Sequence, residues 1–311
     1  MPGVTPAVSG NLTVRETGPL SREIELVYSN EATGQQVAAY DVELTQELHI
    51  LAVDKNLNEL VHEHVREASV DGRFVAELQF PHAGTYHVFT DAVPTGLGQQ
   101  VMRFDVPVGD DESTSRPHVA AVADVTGGTI SSADGAYTVE LDASQLRAGQ
   151  EGVMSLKVLK DGQLATDLAP YLGVAAHVVL IRAEDLAYVH AHALTEQEMH
   201  GGAGHDGHGT AAKAGATDHH SAGHGHDTAT PTETPSGGHS AAHAGSHAAD
   251  HQPAAGGHDG HESIMGTPGT IPGELSVLVT PPGPGTYGMW VEFVGGDQVV
   301  TVGYKINVPA T

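Results

Sequence analysis

A spaced group of three histidines occurs twice in this chain. Each group reads His, twelve residues, His, one residue, His. The first group is His49, His62 and His64, and the second is His177, His190 and His192. Each group is followed by the same Gly-Thr-Tyr step, at residues 84–86 and 285–287. The repeat predicts two copies of one domain, each with a possible three-histidine site.

Both copies consist of short alternating segments separated by turn residues, which is the pattern of antiparallel strands. Predicted strands of the first copy cover residues 11–15, 23–28, 47–53, 59–66, 73–80, 85–91 and 99–108. Those of the second cover residues 136–141, 152–159, 175–182, 186–193, 275–279, 286–292 and 299–308. This number and spacing of strands are typical of an immunoglobulin-like sandwich. We therefore predict an all-β protein with two tandem immunoglobulin-like antiparallel β-sandwich domains.

The domain boundaries follow from the repeat and from a polar, acidic stretch between the copies. Residues 1–110 form the predicted first domain, residues 111–130 a linker, and residues 131–311 the second domain. A long histidine-rich insertion interrupts the second domain at about residues 195–270.

The densest part of the insertion runs from residue 200 to residue 261 and contains 13 histidines but no Val, Ile, Leu, Met, Phe, Tyr or Trp. Nothing in it can be buried to offset chain entropy, so we expect disorder. It is either a weak multivalent metal chelator or a solubilising linker of biased composition. Its candidate metal ligands are His200, His205, His208, His219, His220, His224, His226, His239, His243, His247, His251, His258 and His261.

Charge and cysteine content restrict the binding partners. The chain has 13 Lys and Arg against 39 Asp and Glu, and its formal charge is −26. Such a charge argues against nucleic acid and anionic membranes and favours cations. There is no cysteine, so disulfides, thiolate metal sites and cysteine nucleophiles are excluded. No apolar run approaches the roughly 18 residues of a membrane-spanning helix.

Hairpin geometry brings each histidine group together. If His49 opposes His62, the turn centres between Lys55 and Asn56; the equivalent pairing in the second copy opposes His177 and His190. Opposed residues share a face of the sheet, as do residues two apart on a strand. Three imidazoles converging in this way suit Zn²⁺ or Cu²⁺.

Carboxylates are the candidates to complete each site. Asp91 and Glu292 each stand six residues after the threonine of the repeated Gly-Thr-Tyr step. Beside the metal hypothesis stand two others: a hydrogen-bonded structural cluster and a chance group on a solvated face. The histidine face also carries apolar residues such as Leu51 and Leu60, which predicts that the histidines are half-buried.

Other conspicuous side chains have simpler interpretations. His82 and His87 have no histidine counterparts in the second copy and are predicted at the surface. Tyr86 and Tyr287 are predicted to be core or tyrosine-corner residues. Trp290 aligns with Phe89 and is predicted to lie in the core.

Signals of catalysis are absent from the sequence. It contains no Gly-x-Ser-x-Gly elbow, Walker loop, dinucleotide fingerprint or His-Glu-x-x-His helix. We therefore expect a non-enzymatic protein that binds copper, zinc or nickel ions. The alternative from another class is an immunoglobulin-like interaction or adhesion module with structural histidines. No particular protein partner is indicated.

Two stretches carry a family resemblance. Residues 49–64 with Phe80-Pro-His-Ala-Gly-Thr-Tyr86, and Leu168-Ala-Pro-Tyr-Leu-Gly173 through residue 192 with Pro284-Gly-Thr-Tyr287, resemble bacterial exported proteins with YtkA-like or other immunoglobulin-like domains. The resemblance implies a cell-envelope or secreted protein associated with copper. This chain lacks the proline that follows His-x-His in that pattern. Residues 1–9 show no signal peptide, which leaves the cytoplasm open.

Overall fold

The computed structural model describes residues 7–109, 122–200 and 269–311. The described residues lie mainly in β-strands arranged in several antiparallel sheets, so the predicted all-β class is confirmed. The insertion was predicted to be disordered. Apart from its two ends, it lies outside the described residues. No helix in the described ranges is long and apolar enough to cross a membrane.

The first domain is built from two sheets. Its strands are β1 (Val8–Gly18), β2 (Ser21–Asn30), β3 (Tyr40–Asp41), β4 (Leu48–Asp54), β5 (Leu60–Val65), β6 (Arg73–Gln79), β7 (Gly84–Pro94) and β8 (Gln100–Val108). One sheet has the order β1-β2-β6, and the other has the order β3-β7-β4-β5 with β8 paired to β7. Apolar side chains of both sheets, among them Leu26 and Ile50, meet in one core.

The second domain repeats this strand order with additions. Its elements are β9 (Ala123–Asp124), a 3-10 turn (Val125–Gly127), β10 (Ile130–Asp134), β11 (Tyr137–Asp142), β12 (Gly152–Lys160), β13 (Gln163–Leu164), β14 (Leu168–Ala169), β15 (Ala176–Arg182), β16 (Tyr188–Leu194), α1 (Glu196–His200), β17 (Glu274–Val279), β18 (Gly285–Gly295) and β19 (Gln298–Val308). Here the pairing of β16 with β17 makes one continuous sheet, β10-β11-β12-β17-β16-β15-β18-β19-β9.

The end of the predicted linker is part of the second domain. Strand β9 pairs with β19, and Val125 is fully buried in the second core. Residues 123–130 therefore belong to the packed structure, because an apolar side chain and a short strand anchor them. The earlier part of the predicted linker, residues 111–121, lies outside the described ranges.

Burial along the strands shows which faces are covered. Strand β2 alternates, with Ile24, Leu26 and Tyr28 buried, as expected for a strand with one face on the core. By contrast, every residue of β4 is buried, and so is every residue of β15 except the last. These two strands must therefore be covered on both faces.

The second cover is the other domain. A separate apolar cluster contains Leu51, Val53, Leu57 and Phe89 from the first domain and Val179, Ile181 and Trp290 from the second. The rings of Phe89 and Tyr188 stack across this contact at 5.2 Å. Leu51 corresponds to Val179 in the repeat, and Phe89 to Trp290, so the domains dock through equivalent faces in a pseudo-twofold manner.

Candidate metal centre

The two histidine-bearing hairpins position the candidate ligands. His49 on β4 lies opposite His64 on β5, and His177 on β15 lies opposite His192 on β16. The predicted pairing of His49 with His62, and of His177 with His190, is therefore wrong by two residues. A shift of two residues preserves the side-chain face, so all three histidines of each hairpin still project together.

A five-residue turn explains the shift in the first hairpin. The carboxylate of Asp54 accepts hydrogen bonds from the backbone N–H groups of Asn56, Asn58 and Glu59 at 3.2, 2.6 and 2.9 Å. Leu57 adopts a left-handed conformation with φ of 54°. The turn therefore centres between Asn56 and Leu57, one residue beyond the predicted position.

Each hairpin presents three imidazoles to one point. We name the set of His49, His62 and His64 the first triad, and the set of His177, His190 and His192 the second triad. Within each triad, one nitrogen from every ring lies within 4.8 Å of the others. Both sets can hold a metal ion.

Backbone carbonyls determine the tautomer of the first histidine in each triad. The Nε2–H of His49 donates to the carbonyl of Glu43 at 3.2 Å, and the Nε2–H of His177 donates to that of Tyr171 at 3.3 Å. A carbonyl oxygen can only accept, so Nε2 carries the proton and Nδ1 presents its lone pair. Metal-binding histidines are commonly oriented by such hydrogen bonds.

In the first triad, one ring nitrogen of each histidine is buried and has no hydrogen-bond partner within the described ranges. Among the described residues, no hydrogen-bond partner reaches Nδ1 of His49, Nε2 of His62 or Nε2 of His64. Buried polar atoms without partners are costly, and native proteins rarely keep three together without a reason. These three free nitrogens, one from each ring, together form a donor set that suits a metal ion.

The second triad presents the same atoms. Nε2 of His192 is likewise buried without a partner in the described structure. Nδ1 of His177 and Nε2 of His190 lie 3.0 Å apart in a hydrogen bond. Tetrahedral coordination with metal–nitrogen bonds of about 2.0–2.1 Å places ligand atoms about 3.3 Å apart. The two nitrogens are therefore already separated by nearly the edge of a coordination tetrahedron.

Burial keeps these histidines neutral. It lowers the pKa of His49 to about 4, with a further lowering from nearby His190. Desolvation by burial, with neighbouring imidazoles as the next cause, also lowers the pKa of His62, His64, His177 and His192. Metal ions bind neutral imidazole, so the folded protein holds these five rings in the binding-competent protonation state at neutral pH.

The two predicted carboxylates lie beside the triads but face across the domain contact. In strand register, Asp91 is next to His49 and Glu292 is next to His177. Yet Oε2 of Glu292 pairs with Nδ1 of His62 in the other domain. Oδ2 of Asp91 lies 3.9 Å from Nδ1 of His190, again in the other domain. Each carboxylate therefore faces the ring of a triad that its own domain does not supply.

The charge of Glu292 depends on its burial. The carboxyl is 4% exposed, and burial raises its pKa to about 7, although a hydrogen bond from Thr301 acts in the opposite direction. Thr301 Oγ1 donates to Oε1 at 3.0 Å. Burial therefore disfavours the charged form of both members of this pair, because it lowers the pKa of His62 and raises the pKa of Glu292.

The remaining candidate residues lie elsewhere. His87 pairs with exposed Asp105 at 2.7 Å, and His82 contacts the backbone of Ala83 at 2.9 Å. The hydroxyls of Tyr86 and Tyr287 donate to backbone carbonyls four residues earlier, at 3.1 and 2.6 Å. Both rings are fully buried, and Trp290 is buried in the domain contact.

The predicted metal ligands of the insertion lie, except for His200, outside the described residues. The backbone of His200 ends α1, and His205, His208, His219, His220, His224, His226, His239, His243, His247, His251, His258 and His261 lie outside the described residues. Sequence reasoning missed the carbonyls of Glu43 and Tyr171. The two stand the same number of residues before the first histidine of each triad, which is the signal that identifies them.

Comparison with known proteins gives little functional information. A family model described as a domain of unknown function (DUF8832) matches residues 131–244. No curated protein matches the chain. The site geometry is therefore the main basis for assigning a function.

Proposed function

We propose that this protein binds transition-metal ions, one at each histidine triad, without catalysing a reaction. The observation that carries the proposal is the set of three buried, unpartnered nitrogens on His49, His62 and His64. Its repetition at the second triad supports two sites of one type. The absence of recognisable catalytic motifs in the sequence supports a binding role.

The donor set favours copper or zinc. Imidazole nitrogen suits Zn²⁺, Cu²⁺ and Ni²⁺, and the Irving–Williams order gives Cu²⁺ the highest affinity at equal availability. Three nitrogen ligands leave a fourth position for water or another donor. We propose Cu²⁺ as the first candidate and Zn²⁺ as the second.

We further propose that the histidines of the insertion capture and concentrate ions near the folded sites, since 13 of them stand within 62 residues. The net charge of −26 also attracts cations. The resemblance to exported immunoglobulin-like proteins supports a location in the cell envelope or outside the cell. That location is part of the proposal.

The alternative function is an interaction module whose histidines are structural. The hydrogen bond between His177 and His190, at 3.0 Å, favours it because a proton already occupies this position in the second triad. Under this alternative the histidines hold the two domains together, and the folded protein takes up no metal.

Calorimetric titration of Cu²⁺ and Zn²⁺ tests the proposal. The protein should be used with residues 200–261 replaced by a short Gly-Ser linker, so that only the folded domains report. We expect two saturable sites, one lost in His62→Ala and the other in His190→Ala. His87→Gln is the matched control, because it removes a histidine outside both triads and should keep both sites.

Absence of saturable binding in the loop-replaced protein would overturn the proposal for the triads. If the full-length chain then bound many ions weakly, the insertion would be the chelator and the folded domains would be its scaffold. Circular dichroism of each variant checks that lost binding does not reflect lost folding.

A further inference from the structure

Histidine rings of the two triads lie next to each other. The ring centroids of His49 and His190 are 5.4 Å apart, and those of His62 and His177 are 5.6 Å apart. Within the first triad, the centroids of His49 and His62 are 6.0 Å apart. The centroid distances within the triads range from 4.2 Å, between His62 and His64, to this value. The closest contacts between the triads fall inside that range, so the six rings form a single group.

The domain contact places an acid from one domain on a ring of the other. Glu292 on β18 pairs with His62 on β5, and Asp91 on β7 faces His190 on β16. In both cases the carboxylate faces Nδ1 of the middle histidine in the triad. For His62 this leaves Nε2 to bind the ion, which agrees with the unpartnered Nε2 of that ring. Nε2 of His190 faces Nδ1 of His177 at 3.0 Å within the second triad, and the ion would replace the hydrogen bond between them.

Both carboxylates are held in position by their own neighbours. Thr301 donates to Glu292 at 3.0 Å, and the side-chain amide of Gln99 donates to the two oxygens of Asp91 at 2.9 and 3.0 Å. The hydroxyl of Tyr188 also donates to Asp91 at 3.3 Å across the domain contact. The acids are therefore fixed acceptors rather than mobile side chains.

We infer that the two domains form one composite centre for two metal ions, in which the carboxylate of each domain orients a metal-binding histidine of the other. The inference rests on the proposed metal binding and adds reciprocal dependence of the sites. A carboxylate that accepts the Nδ1 proton selects the tautomer and makes Nε2 a stronger donor. Glu292, which pairs with Nδ1 of His62, is thus a positioning residue for the first triad. Asp91 lies 3.9 Å from Nδ1 of His190, longer than a hydrogen bond, and would act on the second triad through its charge or by closing this gap when the ion binds.

Strand register suggests a different arrangement, in which each carboxylate acts on the triad of its own domain. Glu292 neighbours His177 on the adjacent strand, so a carboxylate serving its own domain would act on the second triad. The two arrangements predict losses at different sites from the same substitution.

The test measures Zn²⁺ affinity of one triad at a time in the full two-domain chain with residues 200–261 replaced as above. His192→Ala leaves the first triad as the only complete one. In that background we expect Glu292→Gln to weaken Zn²⁺ binding by about 10–100-fold, the usual effect of losing such a partner. Reciprocally, Asp91→Asn in a His64→Ala background should weaken the second triad.

Glu274→Gln is the matched control, because Glu274 is an exposed carboxylate of the second domain that pairs with Lys157 at 3.3 Å. It should leave the affinity unchanged. The ligand-field absorption of Co²⁺ at the first triad should shift in Glu292→Gln and stay constant in Glu274→Gln. A general loss of folding would instead lower the thermal midpoint and the affinity together.

Unchanged Zn²⁺ affinity and Co²⁺ absorption of the first triad in Glu292→Gln would overturn the composite centre. Weakening of the second triad alone, measured with the first one removed, would also overturn it. Failure of the unsubstituted chain to bind Zn²⁺ or Co²⁺ at all would instead remove the proposed function, so the two failures are distinguishable.

Discussion

At the scale of single residues, burial controls the proton affinity of the site. The pKa of His49 falls from 6.5 to about 4 in the folded protein, and four other triad histidines shift in the same direction. Glu292 shifts upward, from 4.5 to about 7. These opposite shifts have one cause, because burial disfavours the charged form of either group.

We predict that the metal-free protein loses stability as the pH falls from about 6.5 towards 4. Between the unfolded and folded pKa values of His49, the unfolded chain binds a proton that the folded chain does not, so acid favours unfolding. Glu292 acts in the opposite sense between pH 4.5 and about 7, because its folded form binds the proton first. The five histidines with lowered pKa values outweigh the single carboxyl with a raised pKa, so acid destabilises the folded protein.

Urea unfolding in the presence of a chelator, repeated at several pH values, measures this slope. His64→Gln should flatten the slope, because it removes one histidine whose pKa is lowered by burial. A stability that is independent of pH over this range would contradict the predicted burial of neutral histidines.

At the scale of elements, strand positions were predictable and register was not. Alternation of apolar residues located β2 within two residues at either end, because one-sided burial has a period of two. The hairpin register was wrong because it depends on side-chain hydrogen bonds in the turn. The short strands β3, β9, β13 and β14 have two residues each, too few to show any period.

The turn between β4 and β5 gives a direct test of this account. Asp54 is 2% exposed, and its carboxylate accepts three backbone N–H groups of the turn. We expect Asp54→Ala to lower the free energy of unfolding by about 1–3 kcal/mol, because it leaves three partly buried backbone donors without this acceptor. Urea unfolding monitored by circular dichroism measures the change.

Asp185 in the turn between β15 and β16 provides the control. It forms an exposed ion pair with Arg182 and accepts from the N–H of Ala187 at 3.1 Å. Asp185→Ala should cost only about 0–1 kcal/mol, since exposed pairs contribute little. Equal losses in the two variants would argue against a special role for Asp54.

At the scale of the whole molecule, the contact between domains accounts for burial of the site. Trp290 is 2% exposed within the shared apolar cluster. At Gly288, an added Cβ would lie 2.7 Å from the ring of Trp290 and 2.8 Å from Leu57 of the first domain. The absence of a side chain at this glycine therefore permits the close approach of the two domains.

We predict that Trp290→Ala uncouples the domains. Truncating a buried aromatic residue costs about 3–5 kcal/mol, and here the loss falls on the domain contact. Differential scanning calorimetry should show two separated transitions, and small-angle scattering should show a larger radius of gyration. Trp290→Phe is the matched variant, because Phe89 occupies the equivalent position, and it should keep a single transition. A single transition with an unchanged radius in Trp290→Ala would contradict the prediction.

The sequence by itself determined the all-β class, the approximate positions of most of the longer strands and the placement of three histidines on one face of each hairpin. Periodicity and spacing are local properties, because they depend only on the types of residues that are close together in the chain. Only the tertiary structure decided what covers that face. The apolar residues next to the histidines indicated burial, but a strand pattern identifies a covered face without identifying its cover. That cover is the matching face of the other domain, which brings Glu292 to His62 and Asp91 towards His190.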